Sequence, residues 1–298
     1  MIGKRKRNKY FQQAINEVKE FTYLDYHDLD KCYDKLKGYS EHYQEETHDQ
    51  IIIVGCVIHG EIQKIPYINR FSDKYTERLN EELADIKRYA NKFKHGLFIT
   101  FTVDPKRFSN PKQMYKEVQA KWNNIMTVLR KKYGIKYYIK TVEFTSSHIP
   151  HIHVMLFHSD YIPIEWLRKL WNEKYNIGTM VRIEYVHTKY VISNNNTNYA
   201  IYPLNYILKY ILKAYETDQS GLSKNTITKV WQWSLQARAY SVSHALVSLI
   251  FNDKTNSNSE YRNPMCSWHY LGSFNPIEAD EWVSVDDVER HLRQLYGN

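Results

Sequence analysis

"IKYYIKTVEFTSSHIPHIHVMLF", residues 135–157, decides how the centre of this chain folds. Two apolar runs, 135–144 and 149–157, lie only a few residues apart. Both are rich in β-branched and aromatic residues, which predicts strands. Strands joined by so short a connection pair as antiparallel neighbours, so the stretch predicts a hairpin. On a strand, side chains at i and i+2 share a face. His151 and His153 therefore project together, while Ile152, Val154 and Leu156 point into a core. His148 has the opposite parity and reads as a residue of the hairpin turn.

Two readings stand for the paired imidazoles. They are half-buried histidines satisfied by their neighbours, or they are ligands of one divalent cation. Glu143 ends the preceding strand and reaches the same face if the hairpin forms. Two imidazoles and one carboxylate, with positions left open, suit a cation that must also hold a phosphate oxygen.

Outward from the hairpin, alternating strands and helices extend over 96–215. "GLFITFTV" (96–103) reads as a strand. Residues 110–134 read as a helix, with Met114, Val118, Trp122, Ile125, Met126 and Leu129 on one stripe, Pro111 near its start and Gly134 past its end. Residues 163–178 read as a second helix, 179–193 as one further strand, and "NNNTN" (194–198) as a loop. The pattern predicts an α+β fold, a central antiparallel sheet with helices packed on one face.

The helix predicted at 202–215 contains "NYILKYILK". At 100° per residue Tyr206, Lys209, Tyr210 and Lys213 fall in one arc of about 100°. Ile207, Leu208, Ile211 and Leu212 occupy the other side. One reading is a surface helix with phenol rings lying over their neighbours. The other makes a phenol oxygen a nucleophile, with the adjacent ammonium groups favouring the phenolate over an ordinary phenol of pKa near 10.

Three regions follow: 1–95, basic and helical; 96–215, the strand-and-helix centre; and 216–298, read as mostly helical with a polar linker at 252–260. Lys4, Arg5, Lys6 and Arg7 are candidate phosphate contacts at the start of the chain, or a solvated end. The 298 residues carry a net charge of +8 and 26 tyrosines. A basic balance points to an anionic partner, and interleaved aromatics suit single-stranded nucleic acid, although tyrosine also fills cores. Cys32, Cys56 and Cys266 form no CxxC pair, which argues against a zinc ribbon or a disulfide scaffold and fits an intracellular setting. "IIIVGCVI" (51–58) is too short to span a bilayer, and the basic start lacks the apolar segment of a secretory signal.

In order along the chain, "FITFT" (98–102), His151-Ile152-His153, and Tyr-x-x-Lys met twice, at Tyr206–Lys209 and Tyr210–Lys213, resemble the three motifs of the HUH endonucleases. Within that superfamily the two-tyrosine form is similar to rolling-circle replication initiators of phages and plasmids. The resemblance covers about 96–215 and implies an HUH palm, an RRM-like antiparallel sheet. It implies Mg²⁺ or Mn²⁺ held by Glu143, His151 and His153. It implies Tyr206 and Tyr210 as nucleophiles toward single-stranded DNA at a replication origin, with Lys209 and Lys213 in support. Cleavage would leave a 5′-phosphotyrosine link and a 3′ hydroxyl, and host replication proteins would be partners. "WQWSLQARAYSVS" (231–243) resembles an Arg-aromatic-Ser segment that follows the third motif, which adds Arg238 as a DNA contact; an ordinary amphipathic helix reads equally well. No GxxxxGK[ST] sequence is present. A two-tyrosine transposase, with the same chemistry, and a non-catalytic DNA-binding protein are the alternatives. The origin sequence, the order of the tyrosines and the oligomeric state stay open.

Overall fold

A computed structural model describes residues 8–22, 27–56, 60–159, 161–192, 198–215, 226–255, 268–275 and 288. The candidate phosphate contacts Lys4, Arg5, Lys6 and Arg7 lie outside the described residues, as does Cys266. In chain order the elements are α1 (Lys9–Glu20), α2 (His27–Thr47), β1 (Ile51–Cys56), β2 (Glu61–Pro66), α3 (Asp73–Lys87), β3 (His95–Thr102), α4 (Pro111–Tyr133), β4 (Tyr138–Phe144), β5 (Pro150–Phe157) and α5 (Ile164–Arg168). There follow β6 (Val181–His187), β7 (Lys189–Ile192), β8 (Asn198–Ile201), α6 (Pro203–Leu212), α7 (Thr226–Ser234), β9 (Tyr240–Val242), α8 (His244–Thr255) and β10 (Trp268–Phe274).

The central sheet has five strands in the order β6-β3-β5-β4-β9, and every neighbouring pair is antiparallel. The fold is α+β, as the sequence predicts. Helices cover both faces rather than one. Leu97, Ile99, Phe101, Val142, Ile152 and Val154 pack with residues of α1, α2, α4 and α7. Phe98, Ile139, Met155 and Phe157 pack with residues of α3, α6 and α8. A strand buried on both faces loses its polar alternation, which is why "GLFITFTV" and "HIHVMLF" read as nearly continuous apolar runs.

α4 follows its sequence signals closely. Asn110 accepts the Gln113 amide at its N-terminus, and Gly134 takes the left-handed conformation (φ 66°) that ends it. Its predicted stripe, Met114 through Leu129, is buried, each side chain stabilising by roughly 1.5–3 kcal/mol.

Three regions depart from expectation. The helix predicted at 163–178 is a short α5 followed by a π-helical segment, Lys169–Lys174. The strand predicted at 179–193 is two, β6 and β7, which belong to different sheets. In the C-terminal region, read as mostly helical, the described residues include α7 and α8, together with two strands that the pattern does not mark, β9 in the central sheet and β10 beside β1. Short strands of this kind take their identity from a distant partner, and local pattern does not reveal it. The polar stretch at 252–260 begins inside α8, and its later part lies outside the described residues.

Gly178 closes the turn into β6. A Cβ there would collide with the carbonyl oxygen of Thr102, the last residue of β3, and crowd the Trp171 indole, whose N–H donates to that same oxygen. Backbone cannot yield as a flexible side chain does. Gly178→Ala is expected to cost about 1–3 kcal/mol or more in urea unfolding; an unchanged midpoint would mean that this turn does not sit against β3.

Candidate active site

The hairpin forms with Glu143 directly opposite His151 and Thr141 opposite His153. Its turn is held by the Thr145 carbonyl, which accepts the His148 amide, and by the Thr145 hydroxyl, which accepts the amide of Ile149. His148 takes a positive φ of 59° in that turn, as its parity suggests. It is buried and points away from the paired histidines. The Trp231 indole donates to its Nδ1, its Nε2–H donates to Asp30, and Tyr33 stacks on the ring at 4.5 Å.

On the other face, His153 Nε2 lies 3.0 Å from Glu143 Oε2, and its Nδ1 lies 3.1 Å from the Thr100 hydroxyl. The hydroxyl can donate or accept, so it orients the ring in either tautomer. Lys213 donates to the other Glu143 oxygen. Burial pushes the Glu143 carboxyl upward, but the hydrogen bonds and charges of His153 and Lys213 more than cancel it and hold the group at about 2. Burial and the neighbouring His153 push His151 below its ordinary value. Metal ligands must be deprotonated, so an ionised carboxylate and a neutral imidazole fit a divalent cation in kind. His151 and His153 stand edge to face, 6.1 Å between ring centroids. Among the described residues no three His, Cys, Asp or Glu side chains converge closely enough to hold an ion as they stand.

α6 lies across this face. Leu204, Ile207, Leu208 and Ile211 are buried, and Tyr206 and Tyr210 face the sheet around Phe98. Tyr210 stacks on Phe98 at 5.0 Å and sits 4.4 Å from the His153 ring. Tyr206 meets Phe98 edge-on at 4.8 Å. Its hydroxyl donates to Glu184 Oε2 at 3.0 Å, and Arg182 pairs with the other oxygen of Glu184. Lys209 caps the Tyr206 ring at 3.9 Å and stands 5.0 Å from the Tyr210 ring.

These contacts revise one expectation. In sequence the lysines favour a phenolate, yet burial, the acceptor Glu184 and the neighbouring Tyr210 push the Tyr206 phenol above its ordinary value. Lys209 sits over the Tyr206 ring face, where it meets the π-cloud. Sequence reasoning singles out neither Glu184 nor Phe98. Phe98 sits within the strand "FITFT", and Glu184 stands opposite it in the β3–β6 ladder. Arg238 is exposed and lies apart from this face, at a cavity on the α4 side of the sheet.

Residues 96–215 match the model of a family described as replication-associated protein, of the ORF2 type. Over that segment the chain is similar to replication-associated proteins. A protein of Halorubrum pleomorphic virus 1 named "Uncharacterized protein 1" is 31% identical over 150 residues, which are 45% of this chain and 29% of that protein. The match therefore spans under a third of the viral relative. The description of the matched family names replication, and the name of the viral relative states no function. Among the described residues no helix is long and apolar enough to cross a membrane.

Glu143 ionises more readily folded than unfolded, its ordinary value being 4.5. Its contribution is therefore complete above that value and is lost as pH falls toward about 2. Glu143→Gln is expected to cost on the order of 1 kcal/mol at neutral pH, a gap that narrows on acidification. Urea titrations at several pH values read it, and a gap constant with pH would contradict the ion pairing described.

Proposed function

We propose that this protein is a replication initiator that cuts and rejoins single-stranded DNA through a tyrosine ester. The observation that carries this reading is the Tyr210 ring against His153, whose Nε2 meets Glu143. A nucleophile of suitable type thus adjoins a donor set of suitable type, beneath a helix that also presents Lys209.

Glu143, His151 and His153 would hold Mg²⁺ or Mn²⁺, which when bound polarises a phosphate and offsets charge on the leaving oxygen. The chain's own residues do the rest. The Tyr210 oxygen attacks the scissile phosphorus and gives up its proton. A new P–O bond forms to tyrosine, the P–O3′ bond breaks, and the 3′ oxygen leaves and takes up a proton. The ester keeps the bond energy, so a later 3′ hydroxyl can reverse the step and reseal the strand. Lys209 supplies positive charge near the phosphate oxygens. Lys213 keeps Glu143 ionised and pointed at His153. Tyr206 keeps its proton and donates it in a hydrogen bond to Glu184, which is placed to receive that proton when Tyr206 in turn attacks. Two nucleophiles one helical turn apart let a second transfer begin before the first ester is released.

The expected partner is single-stranded DNA at an origin, with host replication proteins extending the free 3′ hydroxyl. The test uses purified protein, an origin oligonucleotide and Mn²⁺, and reads a covalent adduct that survives denaturation. Tyr210→Phe is expected to slow first cleavage about 100-fold or more, as loss of a nucleophile does. Tyr206→Phe is expected to keep first cleavage and lose the second transfer. Chelation of the metal, or His153→Ala, should abolish the adduct. An adduct that persists in the Tyr206→Phe/Tyr210→Phe double variant would sink the assignment of nucleophiles.

A further inference from the structure

On the face of the sheet away from Glu143 and His153, a cavity of about 300 Å³ opens between α4 and β4. Its walls include Tyr115, Gln119, Trp122, Tyr138, Lys140 and Arg238. Lys140 is the unexpected member. It stands on β4 between Ile139 and Thr141 and is only 5% exposed. Its ammonium donates to Gln119 Oε1 and lies 5.4 Å from the Trp122 ring. Among the described residues it forms no ion pair. Burial alone pushes it down to about 8.

A buried cation without a counter-charge is costly, and so is a buried amide donor without an acceptor. The cavity holds both, because Gln119 Nε2 is buried with no hydrogen-bond partner. Exposed Arg238 adds a guanidinium at the margin. No Asp or Glu is among the lining residues. The wall is thus rich in donors and positive charge. What it lacks is an anion rich in acceptors. Tyr115 and Tyr138, both half-buried, add aromatic surface to a wall that also carries polar residues such as Asn123 and Ser241, and their rings suit a flat base. The volume is at the lower end of ligand sites, room for one small molecule.

We propose that this cavity binds a single nucleotide, with its phosphate on Lys140, Gln119 and Arg238 and its base against the aromatic wall. The ligand is a free nucleoside monophosphate or one nucleotide of a DNA single strand, since both present the same chemistry. The site is separate from the tyrosine face, because Lys140 and Glu143 project to opposite sides of β4. It therefore stands independently of the nicking reaction.

Calorimetric titration of the full chain tests it, with four deoxynucleoside monophosphates, the corresponding nucleosides, inorganic phosphate and a short oligonucleotide as arms. A monophosphate is expected to bind at least about tenfold more tightly than its nucleoside or than phosphate alone. Lys140→Met should weaken that binding about tenfold or more and at the same time raise the melting temperature of the unliganded protein, because it removes a buried charge. A purely structural lysine would lower the melting temperature instead. Arg238→Gln, at an exposed position, should weaken binding severalfold without risk to the core. An oligonucleotide that displaces the mononucleotide identifies the strand as the ligand; one that leaves it bound identifies the free nucleotide. The proposal is overturned if no arm binds saturably, if phosphate alone binds as tightly as the nucleotide, or if Lys140→Met and Arg238→Gln both bind like wild type. A failed nicking assay leaves this titration standing, and a failed titration leaves the nicking assay standing.

Discussion

The register between β4 and β5 governs everything built on the sheet. Side chains alternate with a period of two, so a slip of one residue would move Glu143, His151 and His153 into the α4 core and turn Val142, Ile152 and Val154 toward α6. The tight turn and its pinned histidine prevent that slip. His148 adopts a backbone conformation that L-residues enter reluctantly, and its ring is held from three sides by α2 and α7. A residue apart from the candidate site thereby fixes the residues within it.

Phe98 plays a comparable part for the helix. It lies beneath both phenols and stacks on His153 with ring planes only 12° apart. Tyr206 and Tyr210 are thus seated on the same apolar surface as the imidazole, and each acquires a different polar neighbour. Tyr210 adjoins the histidine and Tyr206 adjoins Glu184. Two side chains of the same type on one helix face are made unequal by the strands beneath them.

The central sheet is legible in the sequence because hairpin pairing is local and its pattern strong. The face shared by Glu143, His151 and His153 follows from parity alone. Glu184 is not legible: its position depends on β6 pairing beside β3, far away in sequence, and nothing within "VRIEYVH" marks it. The break after His187 is equally non-local, because the amide and hydroxyl of Thr188 both donate to the carbonyl of Lys94. Lys140 does leave a signal. A lysine at a core parity of "YIKTVEF" is a polar residue in an apolar row, and such a residue raises the question of what satisfies it.

The similarity to replication-associated proteins ends at residue 215, but the sheet does not. β4 is completed by β9 along Ile139–Thr141, then by Gln232 donating to the Val142 carbonyl and by Thr228 accepting the Phe144 amide. Those partners all come from beyond the matched segment. A recombination event that exchanged 96–215 alone between two relatives would bring in a strand cut to fit another protein's edge. The unit that has to be inherited together is therefore longer than the motifs, and α7 and β9 are bound to travel with the tyrosines.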